Sequence, residues 1–566
     1  MLKPTLFQNL AELCEQLEST KKRKTMVEWV ASFIQQLQPE EVQPATSMLM
    51  GRAFPIWDQR VLEISWPTIS TIIRRITNAD EESFSRAFGK TGDAGDATET
   101  LYEEGKTRRQ VTLFQRQLTI LEVNQAFEAI AATTGPGSRE KKERLLEALL
   151  SSATPLEAKY IVRILTRDMR TGFHEGLMEL AVAQTFKVPL PNIQTANMLT
   201  GDIGEVATLL KSRGKEGLTG LGFRVFRPVR PMMAQMAETV AEALEEHNKE
   251  TALEYKLDGA RVQVHKSGSK VKIFSRRLTD VTESLPEIVE QVKSEVKAVE
   301  AVLEGEVIAV GRNGNPLPFQ HLMRRFRRIR RIELTAEEIP VQLHLFDALY
   351  IDGKSLIRES YTQRRERLVE VAGSIPLTRQ IIAKSVEEAE KFLQDALEGG
   401  HEGVMAKRLD SPYTPGVRGK RWFKIKSVLD PLDLVIVAAE YGYGRRHGWL
   451  SDYYLAARDA ESGELLTVGK TFKGLTDAEI TRMTQLLKQL TIRKEGHRVN
   501  VEPRIMVEVA YNEIQKSPKY RGGMALRFAR ITRIRDDKNP EEADTIQRVR
   551  EIYERQFAKK AKYQEG

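Results

Sequence analysis

The stretch Glu254-Tyr255-Lys256-Leu257-Asp258-Gly259-Ala260-Arg261 places a lysine at the end of a predicted strand, with an acid two residues to either side. A neutral lysine amine can attack the α-phosphate of a nucleoside triphosphate and hold the nucleotide as a phosphoramidate. Gly259 allows the backbone to turn tightly beside a bulky ligand. The motif predicts a nucleotidylated Lys256, although a solvated surface turn can carry the same pattern of residues.

Further motifs follow Lys256 in order, at the ends of segments that read as strands. They are Phe274-Ser275-Arg276-Arg277, Leu303-Glu304-Gly305-Glu306-Val307-Ile308, His344-Leu345-Phe346-Asp347, His401-Glu402-Gly403-Val404-Met405-Ala406-Lys407 and Trp422-Phe423-Lys424-Ile425-Lys426. Together they resemble the nucleotidyltransferase motifs of ATP-dependent DNA ligases of the archaeal and eukaryotic replicative type. The resemblance extends from about residue 160 to about residue 540.

Composition limits the class of protein. The 566 residues are too many for one core and suggest about three domains. The net charge of +8 favours a polyanionic partner such as nucleic acid. Cys14 is the only cysteine, which excludes disulfides and a cysteine zinc site. No apolar run approaches the ~20 residues that span a bilayer, and no signal peptide is recognisable, so we expect a cytoplasmic protein without membrane contact.

The hydrophobic periodicity changes along the chain. Residues 1–225 show helical spacing, with Thr5 as a candidate cap of the first helix. After Pro228 the spacing becomes two, and beyond Lys426 short strands alternate with glycine turns. With the resemblance, this predicts an all-α DNA-binding domain at 1–225, an α+β adenylation domain with antiparallel sheets at 226–427, and an OB-fold β-barrel at 428–566.

Local signals add detail to this division. Asn313-Gly314 is a hairpin turn signal, and Asp430-Pro431-Leu432-Asp433 reads as a hinge. Ser385 and Glu388 form a capping box for a helix that Gly399 ends. The stretches Asp168–Gly172 and Thr200–Glu205 resemble parts of the ligase DNA-binding domain. From their residues alone they are helix ends, whose N–H groups can hold phosphates.

Two lysines complete the predicted chemistry of Lys256. The amine of Lys256 must be neutral to attack, and Lys424 and Lys426 can supply the cationic pressure that lowers its pKa. The same lysines can neutralise charge that develops on the α-phosphate. A solvated strand face is the alternative reading of both. Asp258, the acid of the lysine motif, is also expected to be a catalytic residue.

The resemblance implies how the nucleotide base is bound. Glu254 or its backbone is expected to read the edge of adenine. Phe346 is expected to stack on the base while Met405 or Val404 presses from the other side. A buried core position is the alternative for Phe346.

The resemblance also assigns the groups around the phosphates. Arg261, Arg276 and Arg418 match positions that engage AMP or the 5′-phosphate of a nick. Glu306 is expected to contact the ribose, and Glu306 and Glu402 to hold Mg²⁺, which prefers oxygen ligands completed by phosphate. The stretch Arg533–Lys538 resembles the last ligase motif, in which Arg535 and Lys538 orient the pyrophosphate of ATP.

The predicted function is DNA nick sealing in replication, repair and recombination, with ATP and Mg²⁺ as cofactors. An mRNA-capping guanylyltransferase or RNA ligase shares the lysine motif, but the large helical N-terminal region argues against both. A DNA-binding scaffold without activity is a third possibility, from another class. NAD-using ligases carry a cysteine zinc module that one cysteine cannot build, so ATP is expected.

Partners follow from the same reading. Nicked double-stranded DNA is the expected substrate of a monomeric enzyme. The run Gln110-Val111-Thr112-Leu113-Phe114 resembles the box by which archaeal ligases bind a sliding clamp, although a buried helix start explains it better, because only one aromatic residue is present. The basic run Met323–Arg331 is either a phosphate-tracking surface or a solvated helix.

Overall fold

The computed structural model describes residues 3–105, 117–311, 316–317, 319–326, 339–416, 418–426 and 430–561. These ranges form a helical N-terminal region, a central region built on two largely antiparallel sheets, and a strand-rich C-terminal region. The predicted succession of fold classes is confirmed. None of the described helices is long and apolar enough to cross a membrane.

Several helices of the N-terminal region begin at polar caps, and the helices share one apolar core. Asp80, Asp93, Thr119 and Thr154 each accept a hydrogen bond from the backbone N–H three residues further on. The helices are α1 Phe7–Glu18, α2 Arg23–Gln36, α3 Pro39–Leu49, α4 Trp66–Thr77, α5 Glu81–Thr91, α6 Ala94–Glu104, α7 Ile120–Ala132, α8 Ser138–Ser152, α9 Pro155–Thr166, α10 Glu175–Phe186, α11 Leu190–Thr200 and α12 Ile203–Arg213, followed by a 3₁₀ turn at Gly214–Leu218. Their buried faces form a continuous cluster.

Asp202 caps α12 with its own carboxylate. Its oxygens accept hydrogen bonds from the N–H groups of Gly204 at 3.0 Å and Glu205 at 3.1 Å. These two donors, at a helix start that the sequence offered as a phosphate site, are therefore already bound within the chain.

The central region contains two five-stranded sheets. The first has the order β1-β10-β9-β2-β8 and the second β4-β3-β5-β6-β7. The strands are β1 Met233–Met236, β2 Thr251–Lys256, β3 Ala260–Ser267, β4 Lys270–Ser275, β5 Glu300–Ala309, β6 Val341–Ile351, β7 Lys354–Ser355, β8 Gln380–Ala383, β9 Gly403–Lys407 and β10 Arg418–Lys426. The helices are α13 Val240–Glu246, α14 Pro286–Glu295, α15 Phe319–Phe326, α16 Tyr361–Val371 and α17 Val386–Glu398, with a 3₁₀ turn at Thr282–Ser284. Lys256 ends β2, at the point where the chain crosses from the first sheet to the second.

The C-terminal region has one seven-stranded sheet and a separate hairpin. Its strands are β11 Leu432–Tyr441, β12 Leu450–Arg458, β13 Leu465–Thr471, β14 Thr491–Glu495, β15 Arg498–Val501, β16 Met506–Ala510, β17 Glu513–Lys516, β18 Met524–Arg527 and β19 Arg530–Ile534. Its helices are α18 Asp477–Gln489 and α19 Ile546–Ala561, with 3₁₀ turns at Gly444–Arg446 and Pro540–Glu542. Among the described residues the strand pairings do not close into a ring, so the OB barrel stays a prediction.

Half of the predicted hinge Asp430–Asp433 belongs to a strand. Leu432 and Asp433 already belong to β11, where they pair with Val509 and Glu508 of β16. Asp430 and Pro431 alone precede the strand within the described residues. The predicted domain boundary at 225 falls between the 3₁₀ turn and β1, and the boundary at 427 lies outside the described residues.

Direct contacts join the helical region to both others. The side-chain amide of Gln59 donates a hydrogen bond to the carbonyl of Leu278 at 2.8 Å, just beyond β4. On the other side, Nε2 of His447 lies 2.9 Å from the carbonyl oxygen of Gly89. The helical region therefore contacts both the nucleotidyltransferase-like sheets and the C-terminal sheet.

Candidate active site

One face of the first sheet carries the motif residues in adjacent rows. Residues that pair across neighbouring antiparallel strands project to the same side of the sheet. Read across β2, β9 and β10, the rows are Lys256–Gly403–Lys426 and Glu254–Met405–Lys424. The structure therefore brings these predicted site residues together, and Glu254 shares the face of Lys256 as the sequence indicated.

Glu402 lies between two lysines. Its carboxylate forms ion pairs with Nζ of Lys256 and with Nζ of Lys426, the latter at 2.6 Å. The backbone N–H of Glu402 donates to the carbonyl of Lys256 at 3.0 Å. The next residue, Gly403, has a φ of +141°, and a Cβ there would lie 2.1 Å from the carbonyl oxygen of Ile425. Only glycine allows this approach, which holds Glu402 against Lys256.

Carboxylates dominate the charges around Lys256. Burial alone would lower the pKa of Lys256, but the carboxylates of Glu402 and Glu306 outweigh burial and raise it. Lys424 and Lys426 were expected to lower this pKa together with Mg²⁺ bound at the same phosphate, and that expectation stays a prediction. The pKa of Lys424 is lowered, first by burial and then by the positive charges of Lys426 and Lys256.

The two predicted metal carboxylates have opposite pKa shifts. Burial raises the pKa of Glu306 to about 7, and the charges of Lys256 and Arg261 only partly oppose this rise. Burial also opposes ionisation of Glu402, but the charges of Lys256 and Lys426 prevail and lower its pKa. Such divergence between neighbouring carboxyl groups is typical of functional sites.

Glu306 and Glu402 fit a magnesium site only in part. Their oxygens are the hard ligands that Mg²⁺ prefers. The described residues contain no group of three or more His, Cys, Asp or Glu that could hold a metal ion. The donor set therefore suits an ion whose coordination is completed by nucleotide phosphates and water.

Three further cations surround the same face. Arg276 donates to the sulfur of Met233 at 3.7 Å, and Arg418 pairs with Met233 across β1 and β10. The charges of both arginines contribute to the lowered pKa of Lys424. Lys424 has no ion-pair partner within the described part of the chain. It is therefore available to an anionic ligand.

Arg261 is fixed on the second sheet. Its guanidinium donates to Glu304 at 2.5 Å and to the carbonyl of Met232 at 2.7 Å. The guanidinium carbon lies 5.3 Å from the centre of the Phe346 ring, and this ring is 8% exposed. Nε of Arg261 has no hydrogen-bond partner among the described residues, so one donor remains for a ligand. Phe346 is largely a core residue with one accessible edge.

Asp258 and Gly259 connect the lysine strand to the second sheet. The carboxylate of Asp258 accepts a hydrogen bond from the N–H of Phe319 at 3.3 Å. A Cβ at Gly259 would lie 2.4 Å from the carbonyl oxygen of Val307 in β5. Gly259 is thus required by close packing against β5, whereas the sequence suggested a turn beside a ligand.

Lys407, the last residue of β9, is a buried lysine for which the sequence motifs indicated no role. Its Nζ lies 2.7 Å from the carboxylate of Glu254, and both side chains are 2% exposed. The same Nζ lies 4.5 Å from the ring centres of Phe346 and Trp422. Its spacing of two from Met405 could have indicated a place in the site, because residues two apart in a strand lie on the same face.

Arg535 and Lys538 are not brought to Lys256. Both bind Asp433 at the start of β11, Arg535 at 3.0 Å and Lys538 at 2.7 Å. The C-terminal region approaches the site through Arg527 instead, whose guanidinium carbon lies 5.7 Å from the ring centre of Phe319. The structure therefore records an arrangement in which the last motif is turned to its own domain.

Two basic or apolar runs lie wholly or partly outside the described residues. The candidate clamp box Gln110–Phe114 is one of them, and the run Met323–Arg331 is described only as far as Phe326. Within that run Arg325 is buried, forms an ion pair with Glu287 and donates to the carbonyl of Ile339 at 3.0 Å. Arg325 therefore cannot belong to a phosphate-tracking surface.

A helical region, a two-sheet domain with a lysine at the crossing, and a strand-rich C-terminal region define a multidomain nucleotidyltransferase. Three family models match the sequence: DNA ligase N terminus over residues 6–183, ATP dependent DNA ligase domain over 231–426, and ATP dependent DNA ligase C terminal region over 446–538. The chain belongs to the ATP-dependent DNA ligase family.

Relatives match almost the whole chain. DNA ligase 1 of Korarchaeum cryptofilum is 48% identical over 98% of this chain and 99% of its own length. The DNA ligase of Thermococcus onnurineus is 44% identical, again over 98% of this chain and 99% of its own. The solved structure entitled Pmar-Lig_PreS3 has a TM-score of 0.57 at 17% identity, over 93% of this chain and 99% of that one. At that identity the structural likeness concerns the fold alone.

Proposed function

We propose that the protein seals nicks in duplex DNA with ATP, through an AMP group carried on Lys256. The observation that carries the proposal is the position of Lys256: it ends a strand between Glu402, Lys424 and Lys426, where cations converge from both sheets. The helical N-terminal region and the family membership favour DNA over an RNA end or cap. A silent DNA-binding scaffold would not need this arrangement.

The chemistry proceeds in three transfers. Nζ of Lys256 attacks the α-phosphate of ATP and pyrophosphate leaves. The 5′-phosphate of the nick then displaces lysine from the AMP, and the 3′-hydroxyl displaces AMP to form the phosphodiester. Each step passes negative charge over one phosphate, which Lys424 and Lys426 are placed to neutralise.

The ion pair with Glu402 holds the amine of Lys256 in place but also keeps its proton on. Attack requires that proton to leave. Mg²⁺ held by Glu306 and Glu402 together with nucleotide phosphates would neutralise carboxylate charge and so weaken the forces that keep Lys256 protonated. We assign Arg276 and Arg418 to phosphates and Arg261 to the nucleotide. Glu254, Met405 and Phe346 are assigned to the adenine.

Nucleotide use tests the proposal directly. The protein is incubated separately with labelled ATP, GTP and NAD, and the charged protein is then given nicked duplex without free nucleotide. We expect acid-labile label from ATP, followed by one round of sealing. Label from GTP alone would indicate a guanylyltransferase, and DNA binding without any label would indicate a scaffold.

Binding to nicked DNA should depend strongly on salt. Most contacts to a duplex are made to phosphates, and each neutralised phosphate releases counterions. A footprint of roughly six to ten phosphates gives a log–log slope of about −5 to −9 in binding constant against salt. The slope is measured by titrating nicked duplex at several salt concentrations, and a flat response would contradict binding through an extended set of phosphate contacts.

We also propose that this enzyme acts as a monomer in the cytoplasm, with a sliding clamp as partner through Gln110 and Phe114. Gln110→Ala combined with Phe114→Ala should weaken retention on clamp resin and leave sealing of short duplexes unchanged. The matched control is Gln115→Ala with Gln117→Ala, which should retain clamp binding. Equal retention of the box variant and the parent would reject this partner.

A further inference from the structure

Glu254 is a buried acid whose carboxylate is almost filled by protein donors. Nζ of Lys407 lies 2.7 Å from one oxygen. The hydroxyl of Tyr361 and the side-chain amide of Gln380, the latter at 3.3 Å, donate to the other. A carboxylate offers about four acceptor positions. Three of these are taken by hydrogen bonds, and Nη1 of Arg365 lies 3.6 Å from the oxygen that Tyr361 and Gln380 share. One acceptor position remains, on the oxygen that Lys407 binds.

Lys407 is enclosed by aromatic rings on the same face of the sheet. Its Nζ lies 4.5 Å from the ring centres of Phe346 and Trp422 and 4.9 Å from that of Tyr361. Glu254 is its ion-pair partner among the described residues. A buried charge is stable when it is paired, so removal of either partner leaves the other uncompensated. Lys407 thereby holds the Glu254 carboxylate in one orientation.

Glu254 lies two residues before Lys256 on one strand face, and Met405 pairs with it across the sheet. The remaining acceptor of Glu254 is near Phe346, because the Nζ of Lys407 that binds the same oxygen lies 4.5 Å from the centre of that ring. A carboxylate there accepts a hydrogen bond from an exocyclic amine. A 6-carbonyl oxygen in the same place would face the Glu254 carboxylate. Both groups accept hydrogen bonds and neither donates, so both would be left unsatisfied.

We propose that Lys407 is a positioning residue that sets base specificity, because it fixes the Glu254 carboxylate as an oriented acceptor that selects a 6-amino purine over a 6-oxo purine. The inference rests on the proposed function, since it requires the base of ATP to lie beside Glu254. Without the lysine, Glu254 loses the donor that fixes one of its oxygens, and its acceptor is no longer held in one place against the base. Discrimination then falls, while the attack by Lys256 remains possible.

The test compares self-adenylylation by ATP with nucleotidylation by inosine triphosphate, which carries an oxo group in place of the 6-amino group. For each nucleotide, the rate constant is divided by the half-saturating concentration, and the value for ATP is divided by the value for inosine triphosphate. For Lys407→Met we expect this ratio to fall by about tenfold or more. Lys407→Arg, which keeps the charge, should retain the ratio. The matched control is Lys420→Met. It removes an exposed lysine of the neighbouring strand β10, whose Nζ lies 2.9 Å from the carboxylate of Glu246 in α13.

A second variant covers the case in which Lys407→Met does not fold. Tyr361→Phe removes one donor to Glu254 and keeps both the ring and the lysine, so the ratio should fall by about threefold. An unchanged ratio in a folded Lys407→Met, or in Tyr361→Phe when the lysine variant is unfolded, would show that the network only stabilises the sheet. A parent that does not prefer ATP over inosine triphosphate would also reject the inference. A parent that takes AMP from neither and seals no nick would reject the proposed function itself.

Discussion

Alanine at both Arg535 and Lys538 is expected to slow self-adenylylation by about 10²-fold to 10³-fold, because each lost cation would face the pyrophosphate of ATP. Sealing of a nick that already carries AMP on its 5′ end should stay within about threefold of the parent, because that step involves no pyrophosphate. Gel assays of labelled protein and of pre-adenylylated nicked duplex measure the two rates.

The reason for this separation is where the structure places the two cations. Both bind Asp433 of β11, and neither contacts Lys256 in the described part of the chain. To reach ATP the C-terminal region must swing about the segment before β11, a domain motion of the kind that commonly gates enzymes. The same motion would then release the site for DNA.

A control variant removes two arginines from the same region without touching the last motif. Arg548→Ala with Arg555→Ala removes two arginines of α19 and breaks their ion pairs to Asp544, which precedes the helix, and to Glu551 within it. This variant should leave self-adenylylation near the parent rate. The Arg535 and Lys538 variant could instead lose sealing of the pre-adenylylated nick as strongly as it loses self-adenylylation. These residues would then serve DNA binding or domain stability, and the two-conformation mechanism would be wrong.

Glu402→Ala is expected to lower both self-adenylylation and sealing of the pre-adenylylated nick, each by at least about 10²-fold. The carboxylate pairs with Lys256 and Lys426 and is a proposed magnesium ligand. Its removal leaves like charges facing each other and weakens phosphate binding in every step. Single-turnover rates with ATP and with pre-adenylylated duplex are the measurements.

Glu398→Ala is the matched control for Glu402→Ala, because Glu398 is an exposed acid at the end of α17. It should behave as the parent in both assays. Parent-level sealing of pre-adenylylated nicks by Glu402→Ala would limit Glu402 to the charging of Lys256 and exclude it from a shared metal site.

Local patterns predicted the strands and helix ends well. The alternation in β3 and β4 gives a hairpin in register, and α17 ends before Gly399 as expected. Ser385 accepts from the N–H of Glu388 at 3.2 Å, but the Glu388 carboxylate accepts from the N–H of Lys384 rather than that of Ser385. The capping box is therefore half formed, because side-chain direction at a helix start depends on the approach of the preceding chain.

Contacts between distant segments were beyond such patterns. Thr5 was expected to cap the first helix, yet its hydroxyl donates to Glu41 at 2.7 Å and α1 begins at Phe7. In the same way, strand spacing put Lys256 and Glu254 on one face but did not reveal that Glu402 pairs with Lys256 or that Lys407 pairs with Glu254. Those partners come from β9, whose register against β2 is set by the whole sheet.

The central claim is that AMP is carried on Lys256, and the position of the covalent nucleotide tests it most directly. The protein is charged with ATP, digested, and mapped by mass spectrometry, beside Lys256→Arg, which keeps the charge but offers no free amine for the transfer. We predict one adenylyl group on the peptide that contains Lys256, its loss when nicked duplex is added, and no adenylyl group on Lys256→Arg. AMP on another residue, or charging of Lys256→Arg at the parent level, would contradict the account.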